Sequence, residues 1–188
     1  MNARRASILV IAILVAASLS LPAQNPPRST EQSAASPEMD RLAKALTGDW
    51  NTVERMEKSE FFPNGGGRHG KTHVYLAAGG TTLVDEVHSD GSAGRLDGFV
   101  VIWWDDSAKL YRFFTCFKDP KNACELRGTA HWEGDTFVND YEITIAGKPT
   151  KSRDSFIHIT PNSHDLVAAI DTGNGSWRTL ITTTSTRR

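Results

Sequence analysis

Apolar residues change their spacing near residue 50, from helical spacing before it to strand-like spacing after it. The helical face before that point is formed by Met39, Leu42, Ala43 and Leu46. Ser36 is a suitable N-cap and Gly48 lies just beyond the last turn, so the pattern predicts one helix over 37–46. A helix this short is marginal in isolation and must pack against the rest of the fold.

After Trp50, short apolar runs recur about every ten residues, with turn-forming residues between them. Pairs such as Gly79-Gly80 and Asn174-Gly175 favour tight reversals. The predicted strands lie near 50–58, 71–78, 81–88, 97–104, 109–117, 122–131, 135–145, 150–159, 164–171 and 176–184. We therefore predict an all-β fold, in which an antiparallel up-and-down meander of eight to ten strands closes into a barrel after one short N-terminal helix.

The N-terminal region differs from the rest of the chain. Arg4 and Arg5 precede an apolar run over 8–19, which is typical of a signal peptide at 1–23 and is too short to span a bilayer. Residues 24–36 are polar and contain proline, so we expect a disordered linker there. These features predict an exported, periplasmic or extracellular protein whose barrel domain covers 37–188 and has no membrane span in its mature form.

The charge of the chain argues against one class of partner. The sequence has 21 Lys and Arg residues against 22 Asp and Glu residues, a formal net charge of −1. Removal of 1–23 takes away Arg4 and Arg5 but no acidic residue, so the mature chain is slightly more acidic. A nucleic-acid-binding domain has the opposite balance, and we expect no nucleic-acid partner.

One segment matches a nucleotide-binding pattern. The sequence GGGRHGKT at 65–72 fits G-x-x-x-x-G-K-[ST], whose backbone N–H groups and following helix hold phosphates. Here Lys71 is followed by HVYLAAGG, which reverses direction before a helix can form. We therefore reject nucleotide binding and expect a glycine-rich hairpin loop.

Three short motifs follow one another along the chain: Leu42-x3-Leu46-x-Gly48-x-Trp50, Gly79-Gly80-x2-Leu83-Val84, and Trp104-Asp105 followed by Tyr111. In this combination they resemble a bacterial domain family of unknown function with a lipocalin-like, or calycin, β-barrel. The resemblance covers about residues 38–184 and implies that Trp50 packs across the closed end of the barrel. Trp104 departs from the family pattern, which has tyrosine there, and the family offers no agreed catalytic residues.

Turn positions determine which residues face one another in an antiparallel hairpin. Turns centred on Asp106-Ser107, Pro120 and Glu133-Gly134 place one apolar set on a common face, which we interpret as the barrel interior. This set is Phe99, Val101, Trp103, Leu110, Phe114, Leu126, Ala130, Phe137, Tyr141 and Ile143. A continuous cavity would then be lined by Trp103, Phe114 and Tyr141.

The same register places Cys116 directly opposite Cys124. In an oxidising compartment such a pair can close a disulfide, which contributes about 2–3 kcal/mol by the chain-entropy estimate. Two free thiols are the alternative. A metal-binding pair would need a second cluster of ligands, which the sequence does not offer.

The register also leaves an apolar stripe on the predicted outer face. This stripe is Val100, Ile102, Trp104, Tyr111, Phe113 and Phe117. Because a solvated barrel rarely exposes so much apolar surface, we expect the helix to cover part of it and a second subunit, in a homodimer, to cover the rest.

Arg112 would point inward in this register, where an unpaired charge is very costly. A turn at Gly79-Gly80 places His73 opposite Glu86, and if that face looks inward, His73, Tyr75 and Glu86 form a buried polar cluster with Arg112. Such a cluster could hold the carboxylate or another polar head of a ligand. The alternative places His73 and Glu86 in water, Leu76 and Leu83 in the core, and Arg112 near the rim.

The sequence therefore favours an exported barrel that binds a small apolar or amphipathic molecule. The candidate ligand-binding residues are Trp50, His73, Tyr75, Glu86, Trp103, Arg112, Phe114 and Tyr141. The spacing His69-x3-His73 aligns zinc ligands only on a helix, and no Ser-His-Asp grouping is readable, so we expect neither a metal nor a cofactor. A self-association domain, haem ligation by His158 or His164, and an enzyme using His73 with Glu86 remain open alternatives.

Overall fold

The structure is a closed ten-stranded barrel. The computed structural model describes residues 35–118, 124 and 126–188. Its elements are α1 (Pro37–Leu46), β1 (Gly48–Met56), β2 (Gly66–Ala77), β3 (Thr82–Gly91), β4 (Leu96–Asp105), β5 (Leu110–Phe117), β6 (Leu126–Glu133), β7 (Thr136–Ile145), β8 (Lys148–Ile157), β9 (Ser163–Gly173) and β10 (Ser176–Arg187). Each strand pairs antiparallel with its neighbour in sequence, and β1 also pairs with β10. The predicted all-β meander after one short helix is confirmed.

The predicted signal peptide at 1–23 lies outside the described residues, as does the predicted linker at 24–36 except for its last two positions. In the part of the chain that the structure covers, no helix has the length and apolar character needed to cross a membrane.

Helix α1 closes one end of the barrel. The Ser36 hydroxyl accepts a hydrogen bond from the Met39 N–H at 3.2 Å, so the predicted N-cap is present. The helix packs its apolar face into the core and contacts β2, β3 and β4. Its position is also held by Tyr111, whose hydroxyl donates to the Glu38 carbonyl at 2.7 Å and accepts from the Trp132 indole N–H at 3.2 Å.

Trp50 occupies the place that the resemblance implied for it. Its side chain is completely buried, and its indole N–H donates to the Leu46 carbonyl at the end of α1 at 3.0 Å. The Arg187 guanidinium lies over the indole ring, 4.3 Å from the ring centre. The first and last strands and the helix therefore meet on this one side chain.

The glycine-rich segment is a strand and not the expected hairpin loop. Gly66 to Thr72 belong to β2 and pair with β1, and from Arg68 onward they also pair with β3. At Gly70 an added Cβ would lie 2.5 Å from the His88 carbonyl oxygen and 2.8 Å from the Thr52 hydroxyl, so the sheet leaves no room for a side chain there. Because a strand follows Lys71, the phosphate-loop interpretation stays rejected.

The predicted inner face of β4 and β5 is wrong, because the predicted register between β5 and β6 is off by one residue. The structure pairs Thr115 with Leu126, whereas the prediction placed Cys116 opposite Cys124. A one-residue slip turns every side chain to the other face of the sheet. The predicted outer stripe therefore faces inward, with Ile102, Tyr111 and Phe113 in the core.

The opposite set from β4 and β5 faces outward, where Phe99 is 37% exposed. Trp103 and Phe114 are half-buried on this outer surface. The hairpin of β4 and β5 also differs from prediction by two residues, since Trp103 pairs with Arg112 and not with Leu110. The reason is a longer turn, in which the Asp105 carboxylate accepts hydrogen bonds from the Ser107 and Ala108 N–H groups.

The inner face of β6 and β7 agrees with prediction. Ala130 and Phe137 are completely buried, and Leu126 and Tyr141 pack against the same core. The hairpin register differs by two residues, since Ala130 pairs with Asn139 and not with Phe137, but a shift of two keeps every side chain on its face.

The predicted disulfide joins Cys116 and Cys124. Cys116 lies at the end of β5, whereas Cys124 has a positive φ of 60° and lies outside the strand ladder. The disulfide therefore links the end of β5 to the β5–β6 connection and does not join two residues that are paired in the sheet.

Replacing Tyr111 by Phe should weaken the attachment of α1 to the barrel end. The change removes the hydrogen bond to the Glu38 carbonyl and leaves the half-buried Trp132 N–H without its partner, so we expect a loss of about 1–3 kcal/mol in the free energy of unfolding, measured with urea. Tyr75→Phe is the matched control, because its hydroxyl contacts Glu86 on the solvent-exposed outer face. Equal losses in the two variants would show that the Tyr111 hydroxyl has no special role.

Replacing Cys116 and Cys124 together by Ser should lower the free energy of unfolding by about 2–3 kcal/mol, because the unfolded chain loses a short covalent loop. Urea denaturation measures the loss, and the intact mass before and after reduction reports whether the bond is formed. An oxidised protein that is no more stable than the double variant would contradict this expectation.

Candidate functional site

In the described part of the chain, a cavity runs along the inside of the barrel from the end of α1 toward the opposite end. Its volume is about 560 Å³. Leu46 lies at its helix end, whereas Phe62, Arg95 and Lys118 lie in or beside the connections at the open end. Most of the wall is apolar, and these residues are Leu46, Phe62, Val74, Leu83, Val87, Leu96, Val100, Ile102, Phe113, Phe117, Leu126, Phe156, Leu166, Ala168 and Ile181.

A buried ion pair forms part of the wall on β1 and β2. The Arg68 guanidinium donates to one carboxylate oxygen of Glu54 from Nε at 3.0 Å and from Nη2 at 2.6 Å. Each side chain is only 8% exposed. Because each charge has its partner inside the barrel, the pair is electrically neutral toward a bound molecule.

Asp85 on β3 is an enclosed carboxyl group without such a partner. Its strand neighbours are Val74 and Val100, and its Oδ1 atom has no hydrogen-bond partner in the described part of the chain. Burial raises the pKa of Asp85 to about 7, and the nearby charge of Glu86 adds to that effect. Near neutral pH the group therefore changes between a carboxylic acid and a carboxylate.

A second carboxyl group, Asp154 on β8, faces the cavity. The Tyr141 hydroxyl donates to Asp154 Oδ1 at 2.9 Å. Burial raises the pKa of Asp154 to about 6, although this hydrogen bond acts in the opposite direction. Asn139 is the strand partner of Asp154, is 5% exposed, and has an Oδ1 atom with no partner among the described residues.

His164 lies deeper, beside Trp50, with the two ring centres 4.6 Å apart in an edge-to-face arrangement. The imidazole is 6% exposed, and its Nδ1 atom has no partner among the described residues. Burial lowers the pKa of His164 to about 4, so the ring is neutral at physiological pH. The Thr52 hydroxyl on β1 is a further cavity-lining group without a described partner.

Two of the eight predicted site residues lie inside the barrel. Tyr141 lines the cavity, and Trp50 closes its base. The other six side chains lie on the outer face, and these are His73, Tyr75, Glu86, Trp103, Arg112 and Phe114. The predicted aromatic lining by Trp103 and Phe114 is therefore wrong.

The predicted buried polar cluster is also wrong, because β2, β3 and β5 turn those side chains toward solvent. Arg112 forms an ion pair with Asp105 at 2.6 Å, and its side chain is 46% exposed. The structure does bring Tyr75 and Glu86 together, at 3.0 Å, but on the surface. Leu83 fills the core as the alternative interpretation expected, whereas Leu76 is 37% exposed.

Sequence reasoning did not identify the polar groups that do line the cavity. Asp85 lies in phase with the inward-facing Leu83 and Val87, and Asp154 lies in phase with Phe156. A polar residue in phase with interior apolar residues is the pattern that indicates such a group. It can be recognised only after the inner face of each strand is known.

The described residues contain no cluster of three or more His, Cys, Asp or Glu side chains that could hold a metal ion. His69 and His73 both belong to β2, where a separation of four residues corresponds to about 13 Å. The two imidazoles therefore cannot share one ion. No described contact tests the predicted homodimer, although the stripe proposed for it is now inside the barrel.

No protein-family model matches the chain, and no curated protein matches its sequence. Two solved structures share its architecture. The S-type phycobiliprotein lyase CPES from Guillardia theta is 11% identical, with a TM-score of 0.55, and the match covers 79% of this chain and 92% of that chain. Rv2717c from M. tuberculosis is 11% identical, with a TM-score of 0.56, and the match covers 82% of this chain and 99% of that chain. At such identities the likeness shows the fold alone, a β-barrel consistent with the calycin-like barrel expected from the sequence.

Proposed function

We propose that this is an exported protein whose barrel binds a small apolar or amphipathic molecule. The observation that carries the proposal is a cavity of about 560 Å³ whose apolar wall includes buried polar atoms without a described protein partner. Buried polar atoms in native proteins nearly always have hydrogen-bond partners, because an unpaired one lowers stability. A molecule with an apolar body and a few polar groups would complement this wall.

The position of the polar groups supports the same proposal. Thr52, Asp85, Asn139 and His164 belong to β1, β3, β7 and β9, so they surround the cavity and do not form one patch. Binding pockets typically combine an apolar wall with a few convergent polar groups that orient the ligand. A surface used only for self-association would not require polar groups inside the barrel.

Export rests on separate observations. Residues 1–23 have the composition of a signal peptide, and the bond between Cys116 and Cys124 suits an oxidising compartment. The proposed place of action is the periplasm or the extracellular space, where the barrel would hold its ligand away from water.

The first test is native mass spectrometry, with an absorption spectrum, on the chain purified gently from an exporting host. We expect a bound mass of small-molecule size that disappears on denaturation. A Soret band would assign the cavity to haem instead, whereas an unliganded chain that also fails to bind Nile red would overturn the proposal. The intact mass also reports whether 1–23 has been removed.

A cavity-filling variant tests where binding occurs. Ala168 lines the cavity, so Ala168→Phe should occupy part of its volume and weaken Nile red binding by about tenfold or more, which corresponds to about 1.4 kcal/mol. Ala169→Phe is the matched control, because the next residue of β9 faces outward beside Arg153. Equal weakening by both variants would show that the dye binds elsewhere.

A further inference from the structure

The charges inside the cavity are unbalanced in favour of acids. Three carboxyl groups face it, those of Glu54, Asp85 and Asp154. Among the described residues that line the cavity, Arg68 is the only buried cation, and Glu54 already neutralises it. Within the part of the chain that the structure describes, Asp85 and Asp154 therefore have no cationic partner inside the barrel.

The two cations at the opening do not restore the balance. Arg95 is 71% exposed and pairs with Asp97 at 2.6 Å, and Lys118 lies on the exposed rim after β5. Both side chains are solvated, so water and salt screen their effect on the deep part of the cavity.

Asp85 is the more available of the two unbalanced acids. Asp154 accepts a hydrogen bond from the Tyr141 hydroxyl, whereas Asp85 Oδ1 has no hydrogen-bond partner in the described chain. Its strand neighbours, Val74 on β2 and Val100 on β4, bring no titratable group. The titratable groups that act on it are the outer Glu86 and His73. The other ionisable groups in the described cavity wall are Asp154, Tyr141, His164, the Glu54–Arg68 pair, and Arg95 and Lys118 at the opening.

We propose that the cavity selects an apolar molecule carrying a basic nitrogen, and that the Asp85 carboxylate binds this nitrogen. The inference rests on the proposed function and adds the chemical class of the ligand. A protonated amine supplies the positive charge and the N–H donors that Asp85 lacks, and a buried charge-assisted hydrogen bond is among the stronger polar contacts.

Another unpartnered acceptor in the cavity wall supports the same ligand class. Asn139 Oδ1 on β7 is a second buried acceptor without a described donor, beside Asp154 on the wall opposite β3. An anionic ligand would place its own acceptors against these oxygens and would face two acids. Arg112, near which the sequence suggested that a carboxylate or another polar head could bind, lies outside the barrel.

The proposed contact makes binding depend on pH. Because burial raises the pKa of Asp85 to about 7, the group is mostly protonated below that pH. A cationic ligand binds the carboxylate, so its affinity should rise between pH 6 and pH 8. Below pH 7 the affinity should fall by up to about tenfold per pH unit, since binding must then release a proton.

The test compares three molecules of equal chain length for displacement of Nile red at pH 8: decylamine, decanol and decanoate. We expect decylamine to bind at least about tenfold more tightly than the other two, as a hydrogen bond to a charged group predicts. Asp85→Asn should remove this preference while leaving decanol unchanged. Glu86→Gln is the matched control, because it removes one carboxylate from the next residue of the same strand on the outer face.

The outcomes separate the two proposals. If decanol and decanoate bind as well as decylamine, or if Asp85→Asn keeps the preference for the amine, the basic-nitrogen inference fails and the binding function stands. If Asp85→Asn and Glu86→Gln lose the preference for decylamine equally, the preference comes from the overall electrostatic potential of the barrel. That result would overturn the proposed contact with Asp85. If none of the three displaces the dye, the inference also fails, and native mass spectrometry decides whether the binding function fails with it.

A measurement without ligand tests the environment of Asp85. The folded pKa lies above the ordinary value of 3.8, so the stability contribution of Asp85 is complete below pH 4 and declines up to pH 7. The urea midpoint of Asp85→Asn, measured relative to that of the wild-type chain, should therefore increase as the pH rises from 4 to 7. Above pH 7 this difference should stay constant. A difference that does not change with pH would show that Asp85 is solvated and would overturn the proposed contact.

Discussion

Closure of the sheet is the constraint on which the rest of this structure depends. Eight strands make a barrel that side chains can just fill, whereas ten strands make a wider one. The apolar residues of this barrel therefore coat its wall without filling the space between opposite strands. Since α1 covers one end, the described part of the chain leaves the cavity accessible from the opposite end. The cavity follows from strand number and helix position and does not depend on any single lining residue.

The positions of the buried polar atoms without a partner indicate a ligand-binding cavity and not a core that is poorly packed throughout. In the described part of the chain, six buried side-chain polar atoms lack a partner, and four of them line the cavity. A buried polar atom that stays unpaired lowers stability by about 1–3 kcal/mol. The other two belong to Ser89 and Ser152, whereas the ion pair of Glu54 with Arg68 and the Tyr111 hydroxyl have their partners. The local loss of stability is concentrated where a ligand could recover it.

The sequence was sufficient for the architecture but not for the site. Periodicity and turn residues predicted the helix, the ten strands and the inward direction of Tyr141, because these depend on local patterns, whereas the place of Trp50 was implied by the family resemblance. The inner face of β4 and β5 could not be deduced in the same way, since both faces of these strands are apolar: Phe99, Val101 and Trp103 alternate with Val100, Ile102 and Trp104. Only the register against β6 decides between the faces, and a one-residue difference at Cys116 reverses it. Asp85 could not be recognised until the inner faces of the strands were known.

The pairing of β1 with β10 also determines when, during folding, the sheet can close and enclose its cavity. Neighbouring hairpins can form as the chain emerges, but closure joins strands at opposite ends of the domain, and contacts of such long sequence separation form slowly. Until β10 arrives, the future cavity is an open and largely apolar sheet surface with two unpaired edges, which favour aggregation. A partly folded chain is therefore most prone to aggregation just before its last strand is available.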